Sequence, residues 1–151
     1  MIRLLIVEDL PGVRQGLLMR LAAEADFDVI GEAADAQTTL RLATLLCPDV
    51  VLMDIDMPRL DGMATANALR ALCPDVSVIM LSFQDDVLTR QLAEQAGAVA
   101  FVTKSVPAET LLATIRQAVC RAGSAPLAPA RYRRSDNLLE SRLQPVAFNT
   151  Q

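Results

Sequence analysis

Short runs of apolar, often β-branched residues recur along the first 120 positions of the chain, and between them apolar residues fall three and four apart. The runs predict strands at Arg3–Val7, Asp28–Ala33, Asp49–Met53, Val76–Leu81 and Val99–Val102. Three of them are nearly continuous in apolar residues, the pattern of parallel strands covered on both faces. The intervening segments carry a helical period: Val13, Leu17, Leu18, Leu21 and Ala25; Leu40, Ala43, Leu46 and Cys47; Ala66, Leu69 and Leu72; and Leu111, Ile115, Ala118 and Val119. Side chains at that spacing share one helix face, which is stable only when buried. Strands alternating with helices predict an α/β, doubly wound parallel sheet with right-handed crossovers and helices on both faces.

A partial repeat supports this reading. Leu46-Cys47-Pro48-Asp49-Val50 recurs as Leu72-Cys73-Pro74-Asp75-Val76. In each copy proline stops a helix, and the strand that follows runs to a polar residue, Asp54 in one case and Ser82 in the other. In a parallel sheet those two residues emerge at the same edge, and ligands bind outside the carboxyl ends of such strands.

Four of the five strands deliver a functional group at or beside that edge: Glu8-Asp9 after the first, Asp54 after the third, Ser82 after the fourth and Lys104 after the fifth. Each alone is most simply a helix cap or turn residue. Together, three acids, a hydroxyl and a lysine at equivalent positions point to chemistry. Three adjacent carboxylates need a compensating cation to stay ionised. An all-oxygen ligand set favours a hard ion, and Mg²⁺ suits one or two carboxylates plus phosphate oxygens and water. Phosphoryl transfer needs mainly positioning and charge neutralisation. Asp54 can serve as nucleophile, with Lys104 and the Ser82 hydroxyl binding the remaining phosphoryl oxygens.

Composition narrows the alternatives. The chain has no histidine, which removes Ser-His-Asp, Cys-His and histidine–metal chemistry. Cys47, Cys73 and Cys120 lack metal-ligand spacing and are expected to be buried, reduced thiols. With 52% hydrophobic but only 3% aromatic residues, the core must be built from aliphatic side chains. Residues 1–122 hold 10 basic against 16 acidic side chains, and so acidic a globule is a poor nucleic-acid surface. No run of apolar residues is long enough to span a membrane. The chain also opens on a strand-like run instead of a secretory leader, so a cytoplasmic protein is expected.

The segment Met53-Asp54-Ile55-Asp56-Met57-Pro58-Arg59-Leu60-Asp61-Gly62 resembles the phosphoacceptor loop of two-component response-regulator receivers. The acid pair Glu8-Asp9, Ser82, and Lys104 in Phe101-Val102-Thr103-Lys104 match the same family. The resemblance covers roughly residues 2–121 and is greatest to receivers of the NarL/FixJ type, which carry LuxR-type helix-turn-helix outputs. It implies a CheY-like, flavodoxin-like fold with five parallel strands in the order 2-1-3-4-5. It implies that a histidine kinase or phosphotransfer protein donates a phosphoryl group to Asp54, with Mg²⁺ held by Glu8, Asp9, Asp54 and the backbone carbonyl of Asp56. It further implies that Ser82 moves inward to bind the phosphoryl group and that the ring of Phe101, otherwise an ordinary core aromatic, swings with it. The side chain of Asp56 would influence dephosphorylation, and a phosphorylation-dependent homodimer would be one outcome.

Three positions depart from the family pattern. Ser105 stands where proline often follows the lysine, so no cis bond is expected there. Phe83 replaces a small residue after Ser82 and would crowd the mouth of the site. Leu10 follows the acid pair in place of a more polar residue. Pro58 and Gly62 read as turn residues. A Mg²⁺-dependent phosphatase of the haloacid-dehalogenase type is the competing enzyme class, since Asp54-Ile55-Asp56 is an Asp-x-Asp, but position 58 is proline where that family has threonine. The receiver is expected to span residues 1–122, followed over 123–151 by a flexible linker (Gly123 to Pro126) and tail with a short helix between Arg131 and Gln144. That tail holds no recognisable output domain, so DNA would be a partner only through an output domain elsewhere.

Overall fold

Each predicted strand is present, shifted by no more than a residue, in a computed structural model that describes residues 1–58 and 60–123. The strands are β1 (Ile2–Val7), β2 (Phe27–Ala33), β3 (Val50–Asp54), β4 (Ser77–Ser82) and β5 (Ala100–Thr103). Between and after them run α1 (Pro11–Ala22), α2 (Ala36–Leu46), α3 (Gly62–Leu72), α4 (Val87–Gln95) and α5 (Ala108–Gly123). All strand pairs are parallel, in the order β2-β1-β3-β4-β5. The linker from Ser124 onward and the helix expected between Arg131 and Gln144 lie outside the described residues.

The two-residue period of the strands divides the core in two. Leu5, Val7, Val51, Met53, Val78, Met80 and Phe101 face one side and pack with Ala43, Ala66, Leu69 and Ala93 of α2, α3 and α4. Leu4, Ile6, Val50, Leu52, Ile79, Leu81, Ala100 and Val102 face the other and pack with Leu21, Leu111, Leu112 and Ile115 of α1 and α5. The strands β3, β4 and β5 are buried at every position, as their apolar runs require.

Helix starts follow local chemistry. Asp35, Asp61 and Asp86 each accept a hydrogen bond from a backbone N–H in the first turn of α2, α3 and α4. Helix α1 follows Leu10, which cannot cap, and starts on Pro11, whose fixed φ suits the first helical position. The rim where the strands begin is pinned by side chains. Arg3 donates from its backbone N to Asp49 Oδ2 (2.8 Å) and from Nη1 to the Cys47 carbonyl (2.9 Å). Arg116 of α5 donates to both carboxylate oxygens of Asp26 (2.8 Å each) and to Glu24 Oε2 (2.7 Å).

Several expectations are corrected. Ala25 lies beyond the end of α1 and is exposed, because the helix stops at Ala22 and the chain turns into β2. Leu72 is exposed at the last turn of α3, and the partly buried Cys73 packs against the core in its place. The cysteines are free but not all buried: Cys47 and Cys120 are exposed and Cys73 is intermediate. Cys47 sits outside the packed face because it closes α2 in the left-handed conformation, with φ 49°. Gly62 is the first residue of α3 and not a turn residue; a Cβ there would lie 2.6 Å from Ile55 Cγ2, so the position demands close approach.

Candidate functional site

Strand geometry brings the predicted residues together. Glu8 directly follows β1, and its N–H still bonds Ala33 of β2 (3.0 Å). Asp54 ends β3, paired with Leu81, and the N–H of Lys104 bonds the Ser82 carbonyl one step beyond β5 (2.8 Å). Counting by twos from the α1/α5 face, positions 4-6-8, 50-52-54 and 100-102-104 continue the same side of the sheet. Glu8, Asp54 and Lys104 therefore converge, while Ser82, in step with Val78 and Met80, belongs to the opposite face.

Lys104 Nζ lies 2.6 Å from Asp54 Oδ2, 3.5 Å from Asp56 Oδ2 and 3.8 Å from Glu8 Oε2. Asp54 is 3% exposed and Glu8 fully buried. Glu8 Oε1 accepts from the Leu10 N–H (3.1 Å), whereas Oε2 has no donor partner. A buried anionic oxygen without a donor is costly, and taking up a proton turns it into a donor toward Asp54. Accordingly, burial and then the hydrogen bond with Asp54 push the Glu8 carboxyl up to about 8. Burial also acts to raise Asp54, but the hydrogen bonds from Glu8, Lys104 and the Asp56 N–H outweigh it and hold Asp54 below its usual range. The pair thus stores one proton on Glu8 and leaves Asp54 as the anion beside Lys104.

Oxygen atoms of Glu8, Asp9 and Asp54 all lie within 4.8 Å of one another. Three carboxylate oxygens, one of them buried and lacking a donor, fit a hard divalent cation, which would replace the proton on Glu8.

The second half of the site is a network the sequence reading did not contain. Asp56 Oδ1 accepts from the Ser82 hydroxyl and Oδ2 from the Phe83 N–H, both at 2.8 Å. Ser82 Oγ accepts in turn from the Gln84 N–H (3.0 Å). The only available signal was the second acid of Asp-x-Asp, and nothing local says where its side chain points. Phe83 is 73% exposed, with its ring over the Lys104 ammonium at 4.6 Å. Phe101 is buried in the α3/α4-side core, with the Arg90 guanidinium 5.4 Å from its ring centroid. Arg14 of α1 was also missed: its Nη1 donates to the Glu8 carbonyl (2.9 Å) and its Nε pairs with Glu32 Oε1 (2.9 Å), tying the acid turn to α1 and β2. Ser105 hydrogen-bonds Thr103 through their hydroxyls (3.1 Å), and the peptide bond before it is trans.

Residues 4–116 match the family described as "Response regulator receiver domain". The chain belongs to that family. It is 40% identical over 119 residues to the transcriptional regulatory protein LiaR of Bacillus subtilis, covering 78% of this chain and 56% of LiaR. It is 37% identical to the response regulator GacA of Pseudomonas aeruginosa, covering 78% of this chain and 55% of that one. Among solved structures, the response-regulator domain of Thermotoga maritima CheB superposes with a TM-score of 0.71 at 33% identity, covering 79% of this chain and 96% of that one. The NarL receiver of Mycobacterium tuberculosis gives 0.69 at 29% identity, covering 76% and 96%. The relatives are regulators of the LuxR/NarL kind, and the chain spans roughly half to two thirds of the length of the curated relatives it matches first. A receiver is a signalling domain of two-component systems and not a catalytic enzyme family, which sets aside the phosphatase reading. Receivers generally use Mg²⁺ at an acidic pocket and interact with histidine kinases or phosphotransfer proteins. No helix among the described residues is long and apolar enough to cross a membrane.

Proposed function

We propose that Asp54 is the phosphoacceptor of this receiver and that Glu8, Asp9, Ser82, Lys104 and Phe101 serve its phosphorylation and switching. The observation that carries this reading is the 2.6 Å contact between Lys104 Nζ and Asp54 Oδ2 within the acidic cluster. Asp54, held anionic, attacks phosphorus of a phosphohistidine. The new P–O bond makes an acyl phosphate, the P–N bond breaks, and the imidazole leaves with its electron pair and takes up a proton. Water later cleaves the acyl phosphate, returning the Asp54 carboxylate and inorganic phosphate. Lys104 neutralises charge on the transferring group, and the Ser82 hydroxyl donates to one of its oxygens. Glu8, Asp9, the Asp54 carboxylate and the Asp56 carbonyl would hold Mg²⁺, which supplies charge neutralisation for the entering phosphoryl oxygens. Ser82 then leaves its present partner, and the neighbouring Phe101 repacks within the core.

The receiver unit is read as residues 1–122 of a cytoplasmic protein, with a histidine kinase or phosphotransfer protein as donor and a phosphorylation-dependent homodimer as one output. A small-molecule phosphodonor with Mg²⁺ should add one phosphoryl mass to the wild-type chain, detected by intact-mass spectrometry, and none to Asp54→Asn. No adduct on the wild type would refute the reading, and persistence in the variant would move the site elsewhere.

A second reading rests on the lengths and names of the relatives. The chain corresponds to the receiver portion of transcription regulators, so its output would be DNA binding through a helix-turn-helix domain. A gel mobility shift at low salt tests whether this chain binds DNA directly; no shift favours a stand-alone receiver or the receiver portion of such a regulator.

A further inference from the structure

We propose that the carboxylate of Asp56 is a built-in anion that occupies the phosphoryl-binding cradle of the unphosphorylated protein, and that phosphorylation acts by evicting it. This rests on the proposed role of Asp54. The cradle consists of the Ser82 hydroxyl, the Phe83 N–H and the Lys104 ammonium, of which Lys104 also contacts Asp54 directly. All three face Asp56: Ser82 Oγ at 2.8 Å, Phe83 N at 2.8 Å and Lys104 Nζ at 3.5 Å.

Donor counting makes the competition obligatory. A serine hydroxyl has one proton, and that of Ser82 points to Asp56 Oδ1, while its oxygen already accepts from the Gln84 N–H (3.0 Å). The Phe83 amide likewise has one proton, given to Asp56 Oδ2. Neither group can donate to a phosphoryl oxygen without releasing Asp56. A phosphoryl group on Asp54 also brings negative charge against the Asp56 carboxylate, and like charges at that range repel. Asp56 lies on an exposed loop position and can turn to water, so eviction needs no movement of the core.

Eviction unties the connection between β4 and α4. Asp56 is the side chain that joins the loop after β3 to Ser82 and Phe83, just before the start of α4 at Val87. Once released, this connection is free to follow Ser82 inward. The surface it leads into carries Val87, Leu88 and Leu92, all exposed. A neutral, non-accepting residue at position 56 would leave the cradle open before any phosphoryl group arrives.

The test needs no phosphorylation. The wild type, Asp56→Ala and Asp56→Asn are titrated with inorganic phosphate in the presence of Mg²⁺, following the Phe83 amide by ¹⁵N-edited NMR, with thermal melts to confirm folding. Asp56→Ala should bind phosphate at least about tenfold more tightly than wild type, since freeing even one charge-assisted hydrogen bond is worth that factor. Asp56→Asn, which keeps the shape but loses the charge, should fall between them. Equal affinity in wild type and either folded variant overturns the inference. Intact-mass phosphorylation of the same wild-type sample is the separate arm. If Asp54 takes no phosphoryl group there, the proposed function fails, whereas the phosphate titration still decides whether Asp56 fills the cradle.

Discussion

The ammonium of Lys104 lies 4.6 Å from the centroid of the Phe83 ring, on a side chain that is 73% exposed. Little burial holds this ring in place. Its position owes more to the attraction between cation and π-face, worth about 0.5–1 kcal/mol at an exposed site. The ring thereby covers Lys104, the group that on the proposed reading neutralises the transferring phosphoryl group. Phe83→Ala should uncover it and raise the rate of phosphorylation by a small-molecule donor about threefold or more. Time-resolved intact-mass spectrometry checks this, and an unchanged rate would show that the ring does not obstruct the donor.

Lys104 is the cation set among Glu8, Asp54 and Asp56. Lys104→Met removes it and leaves the carboxylates facing one another. Phosphorylation should fall by about 100-fold or more, the scale of losing a preorganised charge at a transfer site. Mg²⁺ should then raise the melting temperature of the variant more than that of the wild type, because the ion relieves a repulsion that Lys104 otherwise offsets. Time-resolved intact-mass spectrometry measures the first, and calorimetric melts with and without Mg²⁺ measure the second.

Glu8, pushed up to about 8 by burial and by Asp54, makes the metal-free protein sensitive to pH. Between its ordinary value of 4.5 and about 8 the folded form keeps a proton that the unfolded chain has released. Stability from this group therefore falls as pH rises through that window. Asp54 is held below its ordinary 3.8, so its contribution is present above that value and is lost only in acid. Melting temperature in chelator should decline from about pH 5 to pH 8, with a shallower slope in Glu8→Gln. Mg²⁺ affinity should rise over the same range, with proton release on binding, because the metal needs the ionised carboxylate. A flat profile in chelator would contradict the shift.

Gly62→Ala places a methyl group 2.6 Å from Ile55 Cγ2 and 3.2 Å from Ile55 Cβ, atoms rooted close to the backbone. Alanine gains about 1 kcal/mol of helix propensity over glycine, but overpacking costs about 1–3 kcal/mol. Because the contact is with a β-branched side chain that cannot swing aside, the net change should be a loss of stability. Chemical denaturation reads this directly. Ile55 adjoins Asp54 and Asp56, so the Asp56 hydrogen bonds to Ser82 and Phe83 should weaken too, seen as faster hydrogen exchange at the Phe83 amide.

The apolar runs of β3, β4 and β5 made the parallel sheet legible, because both of their faces are buried and burial leaves its mark on every residue. The acid pair, Asp54, Ser82 and Lys104 were legible for a related reason: each follows a strand, and parallel strands end at one rim. Helix α4 carried no such signal, since its buried side is Ala93, followed by Ala96 and Ala98, while Val87, Leu88 and Leu92 face outward. Helix α1 is similarly blurred, with Val13 and Met19 exposed and Leu21 alone fully buried. The Asp56 network was illegible because it joins residues 26 and 27 positions apart through side-chain rotamers. No local pattern encodes that.

The Arg116 contacts with Asp26 and Glu24, together with those of Arg3 with Asp49 and Cys47, give the molecule a fixed chassis at one end. At the other end, the Asp56 carboxylate ties the loop after β3 to the start of the β4–α4 connection, and on the proposed reading its partners are traded for a new anion. Helix α5 is tied to the start of β2 by Arg116 and seated in the core by Leu111, Leu112 and Ile115. On the proposed reading, release of Asp56 frees the short span from Ser82 to Val87. If Asp54 takes up a phosphoryl group as proposed, the domain works as a lever with its fulcrum in the anchored rim, and a single added charge is read as displacement on one chosen face.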